Sequence, residues 1–113
     1  MPFVDTTQIE PYERRPGWLG RTFSSPSMTF AYWRFSAGSS IHQHHHLQEE
    51  VWHVVEGELQ VTVGGETRIA GPGMAAIVPA DTPHSVVALS DGFAIVADYP
   101  LRDDVVGAPE DRL

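Results

Sequence analysis

The chain has 113 residues, with 15 acids against seven bases and six histidines, for a formal charge of −8. Every base is arginine, and lysine, asparagine and cysteine are absent; this excludes Schiff-base chemistry, a P-loop lysine, disulfides, thiolate nucleophiles and iron–sulfur clusters. An acidic balance argues against nucleic acid as a partner, and no apolar run approaches the ~20 residues of a membrane helix.

Length and a hydrophobic fraction of 42% fit one globular domain with its own core. The start, Met1-Pro2-Phe3-Val4-Asp5, has neither basic nor apolar signal regions, so a cytoplasmic location is expected. Residues 1–16 hold three prolines and little periodicity. They read as an N-terminal arm, either loose or lent as an edge strand to a neighbouring subunit. Strands are then expected over Leu19–Phe23, Met28–Phe35, Ile41–His46, Glu50–Val55, Leu59–Val63, Thr67–Ala70, Ala75–Val78, Ser85–Leu89 and Phe93–Asp98. Gly57, Gly64-Gly65, Gly71-Pro72-Gly73, Pro79–Pro83 and Asp91-Gly92 punctuate them. Short strands with a turn every eight to twelve residues predict an all-β barrel or sandwich over residues 17–102. Residues 103–113 form an acidic C-terminal tail, expected to fray.

Five of the six histidines fall between His42 and His53. His44 and His46 are two apart, so a strand points both to one side. Glu50 lies at an even offset and rejoins that side once the chain has turned, while His84 follows the Pro79–Pro83 turn. Three imidazoles and a carboxylate suit a divalent first-row metal (Mn, Fe, Co, Ni, Cu or Zn) and leave coordination positions for water or substrate. Spacing alone equally allows a solvated His-rich turn, or core histidines with satisfied hydrogen bonds. His45 has the opposite parity and, like His53, reads as a surface residue.

The segment Gly38–Gly57 resembles the first cupin motif, G-x5-H-x-H-x3-4-E-x6-G, with Gly38, His44, His46, Glu50 and Gly57 at the fixed positions. Gly73, Pro79 and His84 resemble the second, G-x5-P-x-G-x2-H-x3-N, in which Asp81 replaces the second glycine and Ala88 the asparagine. The resemblance implies a double-stranded β-helix, the cupin jelly-roll barrel. In it, His44, His46, Glu50 and His84 would point inward and hold a divalent transition metal such as Mn, Fe, Ni or Zn.

Parity offers further pocket candidates. Trp52 and Val54 share the face of Glu50. Tyr32 and Arg34 share one face of their strand and Trp33 and Phe35 the other. Arg34 would recognise an anionic or sugar-like substrate if inward, and is solvated if outward. His42 is either a group beside the metal acting as general base or a rim residue. The segment Ile95–Asp104 resembles the tail of the small pectin-degradation cupins, which act on unsaturated uronates. Pro100 and Arg102 match its Pro-x-Arg, whereas Val96 and Asp98 occupy its acid and aromatic positions. Asp98 is then an acid/base candidate and Arg102 a carboxylate holder; otherwise Asp98 ends a strand and Arg102 pairs with Asp103 or Asp104.

Together these readings predict a metal-dependent lyase or isomerase acting on a small oxygen-rich, sugar-acid-like molecule, with the metal as Lewis acid. The alternatives are a non-catalytic ligand- or metal-binding module and an iron-dependent dioxygenase. A homodimer is expected, because a small barrel leaves sheet edges and apolar strand faces needing cover.

Overall fold

A computed structural model describes residues 2–102; the expected acidic tail, 103–113, lies outside the described residues. A single turn of 3-10 helix at Thr6–Gln8 precedes ten strands. These are β1 (Tyr12–Arg15), β2 (Trp18–Ser24), β3 (Thr29–Phe35), β4 (Ser40–His44), β5 (Glu49–Glu56), β6 (Leu59–Val63), β7 (Glu66–Ala70), β8 (Ala75–Val78), β9 (His84–Ala88) and β10 (Gly92–Tyr99). They form two antiparallel sheets, ordered β1-β2-β3-β10-β5-β8 and β4-β9-β6-β7. Among the described residues, no helix is long and apolar enough to cross a membrane.

Period-two patterning decides which faces meet. On β3, Ala31, Trp33 and Phe35 are buried while Phe30, Tyr32 and Arg34 lie on the other face. On β10, Ala94, Val96 and Asp98 point inward with Trp52 and Val54 of β5. The large sheet contributes an aromatic core: the Trp18 ring meets Trp33 at 85° and Trp52 at 89°, the edge-to-face geometry aromatic quadrupoles favour. Gly20 is required beneath it, because a Cβ there would collide with the Trp33 ring. Leu59, Val61, Val86 and Ala88 close the core from the small sheet.

Two local features set the site. Residues 1–16 supply β1 to their own sheet: it pairs antiparallel with β2, and Tyr12 packs edge-on against Trp33 at 6.4 Å. Pro11 and Pro16 flank this four-residue strand at the sheet margin, where a missing N–H is tolerated. In the turn before β9, Asp81 has a φ of 57° and its N–H donates to the His46 carbonyl at 2.8 Å. That left-handed conformation explains the glycine of the cupin pattern. Asp tolerates it better than most side chains, so the turn survives the replacement.

Arg34 does not face the interior. It is exposed, lies 5.0 Å over the Phe93 ring and pairs with Glu56 at 3.4 Å. Its strand needed the opposite parity inside to bury Trp33 and Phe35. The anion-binding role considered for it is thereby removed.

A candidate metal centre at the junction of the two sheets

The site is built from two cross-strand pairs. On the small sheet His44 of β4 stands opposite His84 of β9. On the large sheet Glu50 of β5 stands opposite Asp98 of β10. His46, just past β4, joins them. Ring centroids lie 4.3 Å apart for His44 and His84, and 4.9 Å apart for His46 and His84. One ligand atom each of His44, His46 and His84 falls within 4.8 Å of the others, and so do those of His46, Glu50 and Asp98.

Backbone carbonyls orient all three imidazoles alike. Nδ1–H of His44 donates to His42 O at 2.9 Å, that of His46 to Gln48 O at 3.1 Å, and that of His84 to Thr82 O at 2.8 Å. A carbonyl can only accept, so Nδ1 carries the hydrogen and a neutral ring leaves its lone pair on Nε2. The Nε2 atoms of His46 and His84 are buried, make no hydrogen bond, and face Glu50 at 3.3 Å each. A lone pair set against a carboxylate oxygen calls for a cation or proton between them. Two ligands of one ion at bonds of ~2.1 Å and right angles are roughly 3 Å apart, so the donor spacing fits a divalent metal.

Burial alone would raise the Glu50 carboxyl. Its contacts with His46, His84, Asp98 and Trp52 outweigh that and hold it well below the usual carboxylate range. Trp52 Nε1 donates to Oε2 at 2.6 Å and Arg102 Nη1 to Oε1 at 3.4 Å. For His84, burial lowers the imidazole's value, but the Glu50 carboxylate and the Thr82 carbonyl prevail and raise it. His44 moves the other way: burial lowers it, outweighing its bond to the His42 carbonyl.

The remaining candidates separate cleanly. Asp98 is 2% exposed, and its Oδ2 lies 3.9 Å from Arg102 Nη1. Arg102 therefore turns toward Glu50 and Asp98, and its own N–H donates to Thr29 Oγ1 at 2.8 Å. His42 is exposed, with Nδ1 3.5 Å from the Arg15 guanidinium and its ring 5.8 Å from that of His44. It does not line the cavity over the site, whereas His45 does. His53 is exposed.

That cavity holds about 230 Å3 and is walled by Trp33, Ile41, Trp52 and Val96 as well as by polar groups. Trp52 and Asp98 were expected on the inner face; the structure adds the Trp52 N–H on Glu50 and puts Asp98 within the ligand cluster. Arg14 and Arg15 in the cavity wall escaped the sequence reading, because nothing in that doublet indicates which way its side chains turn.

A family model described as "Cupin domain" matches residues 31–98. An uncharacterized protein of Streptomyces coelicolor is 31% identical over 73 residues, 65% of this chain and 70% of that one. The structure of KdgF from Halomonas sp. is similar at a TM-score of 0.87 and 28% identity, covering 94% of this chain and 99% of that one. An RmlC-like cupin from Shewanella frigidimarina is similar at 0.88 and 26%, covering 94% and 96%.

Proposed function

The chain belongs to the cupin family, and on that premise we propose that it is a metal-dependent lyase or isomerase of a small, oxygen-rich sugar acid. The observation that carries this reading is the set of three imidazoles locked in one tautomer, two with buried Nε2 atoms turned on Glu50. His44, His46, Glu50 and His84 are the ligands. A divalent metal held there supplies Lewis-acid polarisation of a substrate oxygen.

The chain's own groups do the rest. Asp98 stands opposite Glu50 on the same buried wall, its Oδ2 3.9 Å from Arg102 Nη1, and serves as the acid/base. Glu50 is held ionised by its other partners. Arg102 positions both carboxylates. Trp33, Ile41 and Val96 exclude water from one side of the cavity.

The similarity to KdgF and the Pro100-x-Arg102 element favour unsaturated uronates as the first substrates to try. Their conjugated double bond absorbs in the ultraviolet. Metal-loaded protein should abolish that absorbance, and chelator-treated protein should do so at least about tenfold more slowly. No turnover of uronates or keto sugars by metal-replete protein would favour the ligand-binding module instead.

We also propose a homodimer formed through the outer face of the large sheet. Phe23, Phe30, Tyr32 and Phe93 make a continuous half-buried aromatic row there, with ring spacings of 5.1, 5.8 and 6.0 Å. Light scattering at micromolar concentration should read twice the 12.5 kDa chain mass; a monomer would overturn this.

A further inference from the structure

Part of the cavity wall away from the carboxylates is cationic, and a defect in β1 makes it so. Pairing of β1 with β2 runs Tyr12↔Gly20 and Glu13↔Leu19, then skips to Arg15↔Trp18. The register shift between Glu13 and Arg15 sets an extra residue, Arg14, into the edge strand. In a regular strand adjacent side chains point to opposite faces. A bulge breaks that alternation and re-aims a side chain, and Arg14 and Arg15 both line the cavity, together with His44, His45 and His46.

The placement is selective. Three of the chain's seven arginines, Arg14, Arg15 and Arg102, line this one cavity in a protein of formal charge −8. Arg102 faces Glu50 and Asp98. Arg14 and Arg15 approach from another wall, because β2, β3 and β10 separate β1 from β5 in the sheet. Arg15 reaches across to the other sheet, its Nη1 lying 3.5 Å from His42 Nδ1. Both side chains are half-buried, so their guanidinium groups are partly desolvated at the cavity wall.

We propose that Arg14 and Arg15 form an oxyanion clamp that binds the carboxylate or phosphate end of the ligand, leaving its hydroxyl-bearing part against the imidazoles. The clamp makes charge, in addition to oxygen content, the determinant of which small molecules the cavity accepts. It deepens the sugar-acid reading of the same site and rests on it, but it requires no turnover.

The test is calorimetric binding of three probes that share a sugar ring: galacturonate, galactose 6-phosphate and neutral galactose. Each is titrated into metal-loaded and metal-free wild type, R15Q, and the R14Q/R15Q double variant. The wild type should bind at least one charged probe about tenfold or more tightly than galactose. R14Q/R15Q should lose that preference while keeping its metal content and thermal transition; R15Q, which retains more of β1, serves if the double variant fails to fold. The two charged probes distinguish a carboxylate clamp from a phosphate clamp. Equal affinity for charged and neutral sugars, no measurable binding of either charged sugar, or a preference that survives the substitutions overturns the proposal. A preference shown by a protein that takes up no metal would sustain the clamp while sinking the metal-centre reading.

Discussion

Protein purified without tag or added metal should carry close to one divalent ion per chain, and His44→Ala with His84→Ala should bring that below a tenth. The expectation rests on the direction of the lone pairs. With Nδ1 of each ring committed to a backbone carbonyl, Nε2 is the only donor His44, His46 and His84 have left. Losing an outer partner of a metal ligand already weakens binding by about 10–100-fold, and losing two ligands should exceed that. His53→Ala, at an exposed position of β5, should leave metal content unchanged. Unchanged metal in the double variant would show the site assignment to be wrong.

The same centre predicts a pH dependence. Metal binding needs neutral imidazoles. His44, lowered by burial, loses its proton at lower pH than an ordinary imidazole, whereas His84, raised by Glu50 and the Thr82 carbonyl, holds one to higher pH. Apparent affinity should therefore climb with pH until it passes the raised value of His84, then level off. In the metal-free protein, the His84 contribution to stability is fully present below its ordinary value of 6.5 and is lost as pH rises through the raised one. Glu50 acts in the opposite sense. Its contribution is present above its ordinary 4.5 and is lost as pH falls through its lowered value. The metal-free fold should thus weaken on both flanks, and bound metal should remove the loss on the alkaline side.

The strands were legible because their physics is local. Leu59–Val63 and Ala75–Val78 were expected with the boundaries the structure shows, since the first is a short alternating run closed by Gly64 and the second a short apolar run closed by Pro79. The histidine pair was expected on one strand, but β4 ends at His44 and His46 lies just past it, so strand parity does not account for their meeting; the cupin spacing pointed to both, together with Glu50 and His84 across thirty-four residues of chain. What failed depended on tertiary context. Tyr12–Arg15 has no periodicity of its own and becomes a strand by docking Tyr12 on Trp33. Arg34 has the parity of a strand face, and only the choice to bury Trp33 and Phe35 decides that this face is the outer one. A bulge that turns Arg14 and Arg15 to one cavity is invisible in composition or period.

Asp98→Asn should lower kcat on an unsaturated uronate by about 10²–10⁴-fold, the usual range for removing a positioned acid or base. Asparagine keeps the size and the burial of Asp98 but cannot give or take a proton. KM and metal content should therefore stay within about threefold of the wild type if Asp98 only moves protons. The competing role is specific, because His46, Glu50 and Asp98 place ligand atoms within 4.8 Å of one another, so Asp98 can be a metal ligand as well. In that case Asp98→Asn would lose activity and metal together, and added metal would restore part of both. A third outcome, full activity with full metal, would leave Asp98 as the buried partner of Arg102 and Glu50 and return the proton transfer to a group not on the inner wall. His42 would then be tested next: it is exposed, with its Nδ1 3.5 Å from the guanidinium of Arg15. The buried geometry argues against that last result. A carboxyl 2% exposed, 3.9 Å from a guanidinium and opposite an ionised Glu50 is costly to maintain unless the site uses it.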